Sequence, residues 1–167
     1  TNTGTEVKNN NIAITAGGTG TKYGFYYSTA ASIADAQKNN IYVNSANAGT
    51  QYYGYYTTNY ANKAAFNAAY PLLEVGSPAV DPQFVSIATG NLKPNSSDLQ
   101  YRGENVLNIV ANDYLDISRS AAPTIGAYEE VPTQNNDIVL AGIYKPFEPM
   151  CADSQDVYAV ILNAGIN

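Results

Sequence analysis

The sequence predicts an all-β fold of the parallel β-helix (solenoid) type, and the first reason is an internal repeat. An Asn-Asn-Ile block at residues 9–14 recurs at residues 39–43, so that Ile12 corresponds to Ile41. A Tyr- and Gly-rich run follows each block, at residues 20–26 and 49–56. Matching Gly24 with Gly54 in these runs lengthens the spacing by one position, which implies an inserted residue. Repeats of this length are typical of stacked units that bury their apolar faces against one another.

The second reason is the local pattern within each repeat. Apolar and polar residues alternate over short stretches that Gly, Asn, Ser and Thr interrupt, so each repeat holds short strands and has no room for a ten-residue helix. Successive turns of the chain should therefore stack strand on strand. We expect Ile12 to lie beside Ile41, and Ile14 beside Val43, in parallel pairs about 4.8 Å apart.

Composition is the third reason, and it favours an extracellular protein. Only 13% of the 167 residues are charged, while 20 are asparagine and 15 are tyrosine. Ordinary globular domains carry about 25% charged residues. Asn side chains at equivalent positions of stacked turns can hydrogen-bond one another in ladders. We expect residues 9–11 and 39–40 to lie in turns or ladders of this kind.

The charge distribution argues against two classes of partner. The net charge is −6, the acids concentrate in residues 73–167, and no cluster of Lys and Arg forms the positive stripe that nucleic acids need. No run of about 20 apolar residues indicates membrane insertion. We expect no nucleic-acid partner, no membrane insertion by this segment and no cofactor. No signal peptide is present, which says little about targeting because Thr1 opens within a repeat-like pattern. We expect a mature or internal piece of a longer chain.

The residues present do not indicate an enzyme. The chain has no histidine, so its single cysteine, Cys151, lacks the usual base for a nucleophile. Cys151 is either a small buried side chain or the partner of a cysteine elsewhere. Glycoside hydrolysis needs two carboxylates about 5–10 Å apart, whereas residues 8–72 contain Asp35 as their only acid.

A short helix and a charged turn follow the repeats. Residues 62–70 have the Ala content of a helix that ends before Pro71, with Asn59 or Asn62 as its N-cap. Phe66 and Tyr70 would share one face of this helix and pack back onto the edge of the stack. We expect the helix to be a lateral decoration rather than a binding element.

Further along, Asp113 and Arg119 are spaced to form an ion pair across a tight turn, with Asp116 competing for the same guanidinium. A calcium site built on the two aspartates is the alternative, but the arginine argues against it. We expect no metal site.

Three blocks of residues 7–129 resemble the last turns of secreted bacterial right-handed parallel β-helix proteins. They are the Ala-rich helix, the Asp-Pro-Gln-Phe-Val block at residues 81–85 and the Ile-Gly-Ala-Tyr-Glu block at residues 125–129. The chain departs from the family pattern at residues 95–98, where a Ser-Pro-Ala block is usual, and at residues 116–117. The Asn-Asn-Ile and Gly-Thr-Lys-Tyr-Gly blocks resemble, more narrowly, the β-helical segments of gliding-motility adhesins exported by the type IX system. This resemblance implies a right-handed β-helix over residues 1–130 and a bacterial cell-surface location.

The remaining residues predict the start of a second module. Residues 131–137 are polar and contain a proline, as in a linker. Strands are expected at Ile138–Ile143 and Val157–Leu162, with a Pro-rich connection between them. Residues 138–167 resemble the opening strands of Ig-like modules, although two strands cannot close a sandwich.

These observations favour a structural or adhesive function. By alternation against Phe25, Ile41, Val43 and Tyr55, the outward tyrosines that could contact a sugar or a partner are Tyr26, Tyr42, Tyr52 and Tyr56. Stacking of these rings between successive turns is the alternative role.

We expect a rigid spacer or glycan-binding stalk in a large secreted protein. Its partners would be a surface polysaccharide or an abiotic surface, together with the secretion or motility machinery. A carbohydrate-active β-helix enzyme fragment (a polysaccharide lyase or hydrolase) and a virion fibre segment are the alternatives.

Overall fold

A computed structural model describes residues 4–29, 33–46, 49–130, 138–145 and 158–163. The chain divides into two compact units, Thr1–Glu130 and Val131–Asn167. The described residues form an all-β structure with one short α-helix. In the first unit the elements are β1 Thr5–Lys8, β2 Asn11–Ile14, β3 Lys22–Tyr23, β4 Tyr26–Tyr27, β5 Ile33–Gln37, β6 Asn40–Val43, β7 Gln51–Tyr52, β8 Gly54–Tyr56, β9 Thr58–Tyr60, helix α1 Lys63–Ala69 and the 3-10 helix Ile87–Thr89.

The two sequence repeats pair with each other strand by strand. β1 pairs with β5, β2 with β6, β3 with β7 and β4 with β8, and every pair is parallel. The expected pairing of Ile12 with Ile41 and of Ile14 with Val43 is confirmed. Each of the resulting sheets holds two or three strands, because β9 adds an antiparallel strand to β8 alone.

The tyrosine runs correct one expectation about the repeat. Tyr23 lies beside Tyr52 and Tyr26 beside Tyr55, so the register set by Ile12 and Ile41 continues here, and the inserted residue inferred from the sequence is absent. The inserted residue follows from aligning Gly24 with Gly54, whereas in the structure the large Phe25 packs against the small Gly54. A Cβ on Gly54 would lie 2.2–2.4 Å from ring carbons of Phe25, so the Phe25 ring occupies the space that this glycine leaves open.

The core of the first unit is aromatic, and helix α1 contributes to it directly. Phe66 is fully buried. Its ring centroid lies 5.1 Å from that of Phe25 in the first repeat, called the first turn below, and 5.9 Å from that of Tyr53 in the second repeat, the second turn. Asn62 caps the helix as predicted, because its Oδ1 accepts from the Ala65 N–H. The predicted packing of this helix onto the stack through Phe66 and Tyr70 is confirmed, and Phe66 belongs to the core.

Asparagine ladders join the two turns, as predicted. The Asn10 Nδ2 donates to Asn39 Oδ1 at 3.0 Å, and the Asn40 Nδ2 donates to Asn11 Oδ1 at 2.9 Å. Asn39 also donates to Glu74, a fully buried acid that accepts a second hydrogen bond from the Ser77 hydroxyl. Burial raises the pKa of Glu74, and these hydrogen bonds oppose the rise.

Residues 71–130 contain little regular structure among the described residues and are held by backbone and side-chain hydrogen bonds. The predicted pairing of Asp113 with Arg119 is wrong. Arg119 instead forms a buried ion pair with Glu129, and Asp113 accepts from the backbone N–H groups of Leu115, Ile117 and Glu129. The three N–H groups supply the hydrogen bonds that the Asp113 carboxylate needs, so the Arg119 guanidinium pairs with a different acid.

The Asp113 contacts predict a pH dependence of stability. Burial opposes the charged form, but the three N–H donors and the nearby Arg119 outweigh it and lower the pKa of Asp113 below its usual 3.8. The stabilising contribution is therefore complete above pH 3.8 and is lost as the pH falls through the lower folded-state value. In urea titrations between pH 7 and pH 2, Asp113→Asn should lose less stability on acidification than the wild type. Parallel losses in the two proteins would contradict this assignment.

The second unit contains one antiparallel hairpin in its described residues. β10 spans Ile138–Lys145 and β11 spans Tyr158–Asn163, with Ile138 opposite Asn163. The two predicted strands are thus found, each close to its expected bounds. Cys151 and the linker at residues 131–137 lie outside the described residues.

Candidate functional site

Stacked tyrosines cover the side of the first unit where β3 and β4 pair with β7 and β8. The Tyr23 and Tyr52 rings stack with centroids 5.4 Å apart, and the Tyr26 and Tyr55 rings stack at 4.4 Å. The two stacks touch edge to face through Tyr23 and Tyr26, at 5.2 Å. Each stack joins equivalent residues of the two turns, so the ladder follows directly from the parallel register. Such ring pairs contribute about 0.5–1.5 kcal/mol each beyond the buried area.

Three of the four candidate tyrosines keep some exposure, and the fourth does not. Tyr26 is 58% exposed, and Tyr42 and Tyr52 are half-buried. Tyr56 is only 6% exposed and belongs to the core, so its assignment as an outward residue is wrong. The chain bends at Tyr53 between β7 and β8, and Tyr53 and Gly54 are both buried, which shifts the alternation by one residue.

The correct residue could have been found from the repeat itself. The register that pairs Ile12 with Ile41 also aligns Tyr26 with Tyr55, whereas the longer register taken from the glycines aligns Tyr26 with Tyr56. Because Tyr26 is exposed and Tyr55 stacks on it, Tyr55 is the member of the second turn that belongs to the outer ladder.

Tyr42 and Tyr52 come together in a groove of about 280 Å³. None of the residues that line the groove is acidic. Beside the two rings, the lining includes the polar residues Asn44, Gln51, Asn62 and Lys63. Tyr42 is fixed at the wall, because its hydroxyl accepts from the Asn44 Nδ2 at 2.8 Å. A groove of this kind combines flat aromatic surface with amide donors and acceptors, which is the usual composition of a small-ligand site.

Hydrogen bonds hold the groove wall at the ends of the β6–β7 connection. The Ser45 N–H donates to Gln51 Oε1 at 2.7 Å, and the Gln51 Nε2 donates back to the Ser45 carbonyl at 3.0 Å. The Ser45 hydroxyl donates to the Ala16 carbonyl of the first turn at 2.6 Å. The backbone that carries Asn44 and Gln51 is therefore anchored to both turns before any ligand binds.

Sequence reasoning identified Tyr42 and Tyr52 but missed the polar residues beside them. Asn62 was predicted only as a helix cap, and its position in the groove depends on where α1 docks. Gln51 had no signal in the sequence beyond its place next to Tyr52. Gln51 and Asn62 are distant in the sequence from Tyr42, and they come together with it only in the folded chain.

Tyr26 lies in the outer ladder and is absent from the groove lining.

Among the described residues, no group of three His, Cys, Asp or Glu side chains is arranged to hold a metal ion. In the same part of the chain, no helix is both long enough and apolar enough to span a bilayer.

Comparison with known proteins adds no relative to this geometry: no family model, no curated protein and no solved structure matches the chain.

Proposed function

We propose that this chain is a carbohydrate-binding, adhesive segment of a large secreted cell-surface protein. The observation that carries the proposal is the groove in which Tyr42 and Tyr52 meet Asn44, Gln51 and Asn62. Sugar rings present both apolar C–H faces and hydroxyl groups. Tyrosine offers amphipathic surface with little conformational entropy to lose, and the amides supply the hydrogen bonds.

The scaffold in this proposal is a right-handed parallel β-helix over residues 1–130. Its support is the set of four parallel strand pairs, which join equivalent positions of the two repeats in one register, with a single shift at Thr5. In such a stack every added turn extends a stiff rod, because each turn contacts only its neighbours. A rod of this kind holds a binding groove at a fixed distance from the cell.

The wider assignment depends on the sequence resemblance. Gliding-motility adhesins exported by the type IX system carry β-helical segments with similar Asn-Asn-Ile and Gly-Thr-Lys-Tyr-Gly blocks. In this proposal the chain is extracellular, and its partners are a surface polysaccharide or abiotic surface and the secretion or motility machinery. The β10–β11 hairpin opens an Ig-like module in the same surface protein.

Binding without catalysis is part of the proposal. The residues that line the groove include no carboxylate, while glycoside hydrolysis uses a pair of them. A panel of neutral and acidic polysaccharides incubated with the full chain should release no new reducing ends and no unsaturated products.

The binding groove is tested by truncating its two tyrosines. In the full chain, Tyr42→Ala/Tyr52→Ala should weaken binding to immobilised glycans by about tenfold or more, since each ring contributes stacking and contact area. Surface plasmon resonance against a glycan panel measures this change. Tyr114→Ala is the matched control, because Tyr114 is 74% exposed and does not line the groove. Equal affinity in the double variant and the wild type would contradict the proposed site.

A further inference from the structure

Three cationic side chains from distant parts of the sequence line one depression of about 470 Å³ in the first unit. Lys38 follows β5, Lys63 begins α1, and Arg102 lies within residues 71–130, after the helix. Ser77 and a single acid, Asp98, also line it. In a chain with a net charge of −6, a concave surface with three cations and one carboxylate is a local reversal of sign.

These cations are available to a ligand. Every ion pair found among the described residues involves Lys8, Lys93 or Arg119, and none of the three cations of the depression. Their side chains also make no hydrogen bond within the same described ranges. The charge of Lys63 acts on the buried acid Glu74, but the hydrogen bonds of Glu74 go to Ser77 and Asn39.

Gly76, which also lines the depression, makes room for the Lys38 side chain. Gly76 has a φ of 63°, and a Cβ on it would lie 2.7 Å from the Lys38 Nζ. Any side chain at this position would therefore displace the ammonium group that lines the depression. Glycine thus serves both the left-handed turn and the close approach of the lysine.

The depression adjoins the tyrosine groove, because Lys63 lines both. A saccharide chain whose ring lies against Tyr42 and Tyr52 would extend past Lys63 toward Lys38 and Arg102. Carboxylate and sulfate groups are the anionic substituents of polysaccharides, and lysine and arginine bind both through charge-assisted hydrogen bonds. Three cations in a hollow do not form the long stripe that tracks a nucleic-acid backbone.

We infer that Lys38, Lys63 and Arg102 select an anionic polysaccharide, one that carries carboxylate or sulfate groups, as the ligand of the adjoining tyrosine groove. This inference rests on the proposed carbohydrate-binding function and names its ligand class.

The test compares two forms of one sugar chain. Oligogalacturonate carries a carboxylate on each ring, and its methyl ester has the same rings without the charge. The full chain should bind the free acid about tenfold or more tightly than the ester by isothermal titration calorimetry, with the preference falling as salt rises. A sulfated galactan oligomer and its desulfated form make the same comparison for sulfate, and a preference for either anionic form supports the inference.

Matched variants locate the preference. Lys38→Gln/Arg102→Gln should remove it and leave binding of the methyl ester intact, because neither residue lines the tyrosine groove. Lys22→Gln/Lys93→Gln changes the net charge equally and should retain it, because these lysines do not line the depression. Unchanged far-ultraviolet circular dichroism and melting temperature in both variants show that the fold is kept.

The possible failures are distinguishable. Equal binding of the charged and uncharged forms in both sugar pairs by the wild type, or a preference that survives Lys38→Gln/Arg102→Gln, overturns the inference and leaves the carbohydrate site standing. Tighter binding of oligothymidylate than of every anionic sugar also overturns it, in favour of a nucleic-acid ligand. Absence of binding to all of the sugars contradicts the proposed function itself.

Discussion

Phe66→Ala should destabilise the first unit by about 3–5 kcal/mol, the largest effect expected from any single truncation in the aromatic core. Phe66 is fully buried, and its ring contacts Phe25 of the first turn as well as Tyr53 and Tyr56 of the second. Its removal would leave a cavity where the helix and both turns meet. The loss combines the transfer free energy of the ring with the cost of that cavity.

Urea unfolding of the full chain, followed by near-ultraviolet circular dichroism of its tyrosines, measures this effect, since the chain has no tryptophan. Leu72→Ala is the control, because Leu72 lies just after the helix and is 84% exposed, and its change should be within about 0.5 kcal/mol. Similar losses for the two variants would contradict the placement of Phe66 in the core.

Arg119→Met should cost about 3–5 kcal/mol, because it leaves the buried carboxylate of Glu129 without its cation. The two side chains are 7% and 3% exposed, and the guanidinium also donates to the Gly126 carbonyl at 3.1 Å. Burial already raises the pKa of Glu129 while Arg119 opposes the rise. With the arginine gone, Glu129 should take up a proton at higher pH.

Two further variants separate the ion pair from the loss of packing. Arg119→Met/Glu129→Gln should recover part of the loss, because no unpaired charge stays buried. Lys93→Met breaks the more exposed pair with Glu130 and should cost less than about 1 kcal/mol. If the double variant were as unstable as the sum of its single changes, the pair would not be the source of the effect.

The sequence predicted the parts of the fold that depend on local or repeated patterns. The Asn-Ile blocks fixed the pairing of Ile12 with Ile41, and the side chain of Asn62 fixed the start of α1. These predictions hold because equivalent residues of a repeat see equivalent neighbours. The register of the tyrosine runs failed, because matching Gly with Gly ignores that the Phe25 ring needs the empty space above Gly54.

The parts that could not be predicted depend on contacts between distant segments. Asp113 and Arg119 are close in sequence, but three backbone N–H groups satisfy the acid, and the arginine pairs with Glu129 instead. Similarly, Lys38 and Arg102 are far apart in the sequence, and the fold brings them to one depression. A charge count along the sequence therefore missed the cationic surface.

The proposed ligand site consists of the tyrosine groove and the adjoining cationic depression, which together would bind one anionic sugar chain. Titration of the isotope-labelled full chain with oligogalacturonate, followed by amide chemical shifts, tests this claim most directly. The account predicts that the largest shifts map to Tyr42, Tyr52 and Asn62 at one end and to Lys38, Ser77 and Arg102 at the other, with Lys63 between them. Shifts confined to another surface, such as the exposed residues around Tyr114, or the absence of any shift at ligand saturation of the wild type, would contradict it.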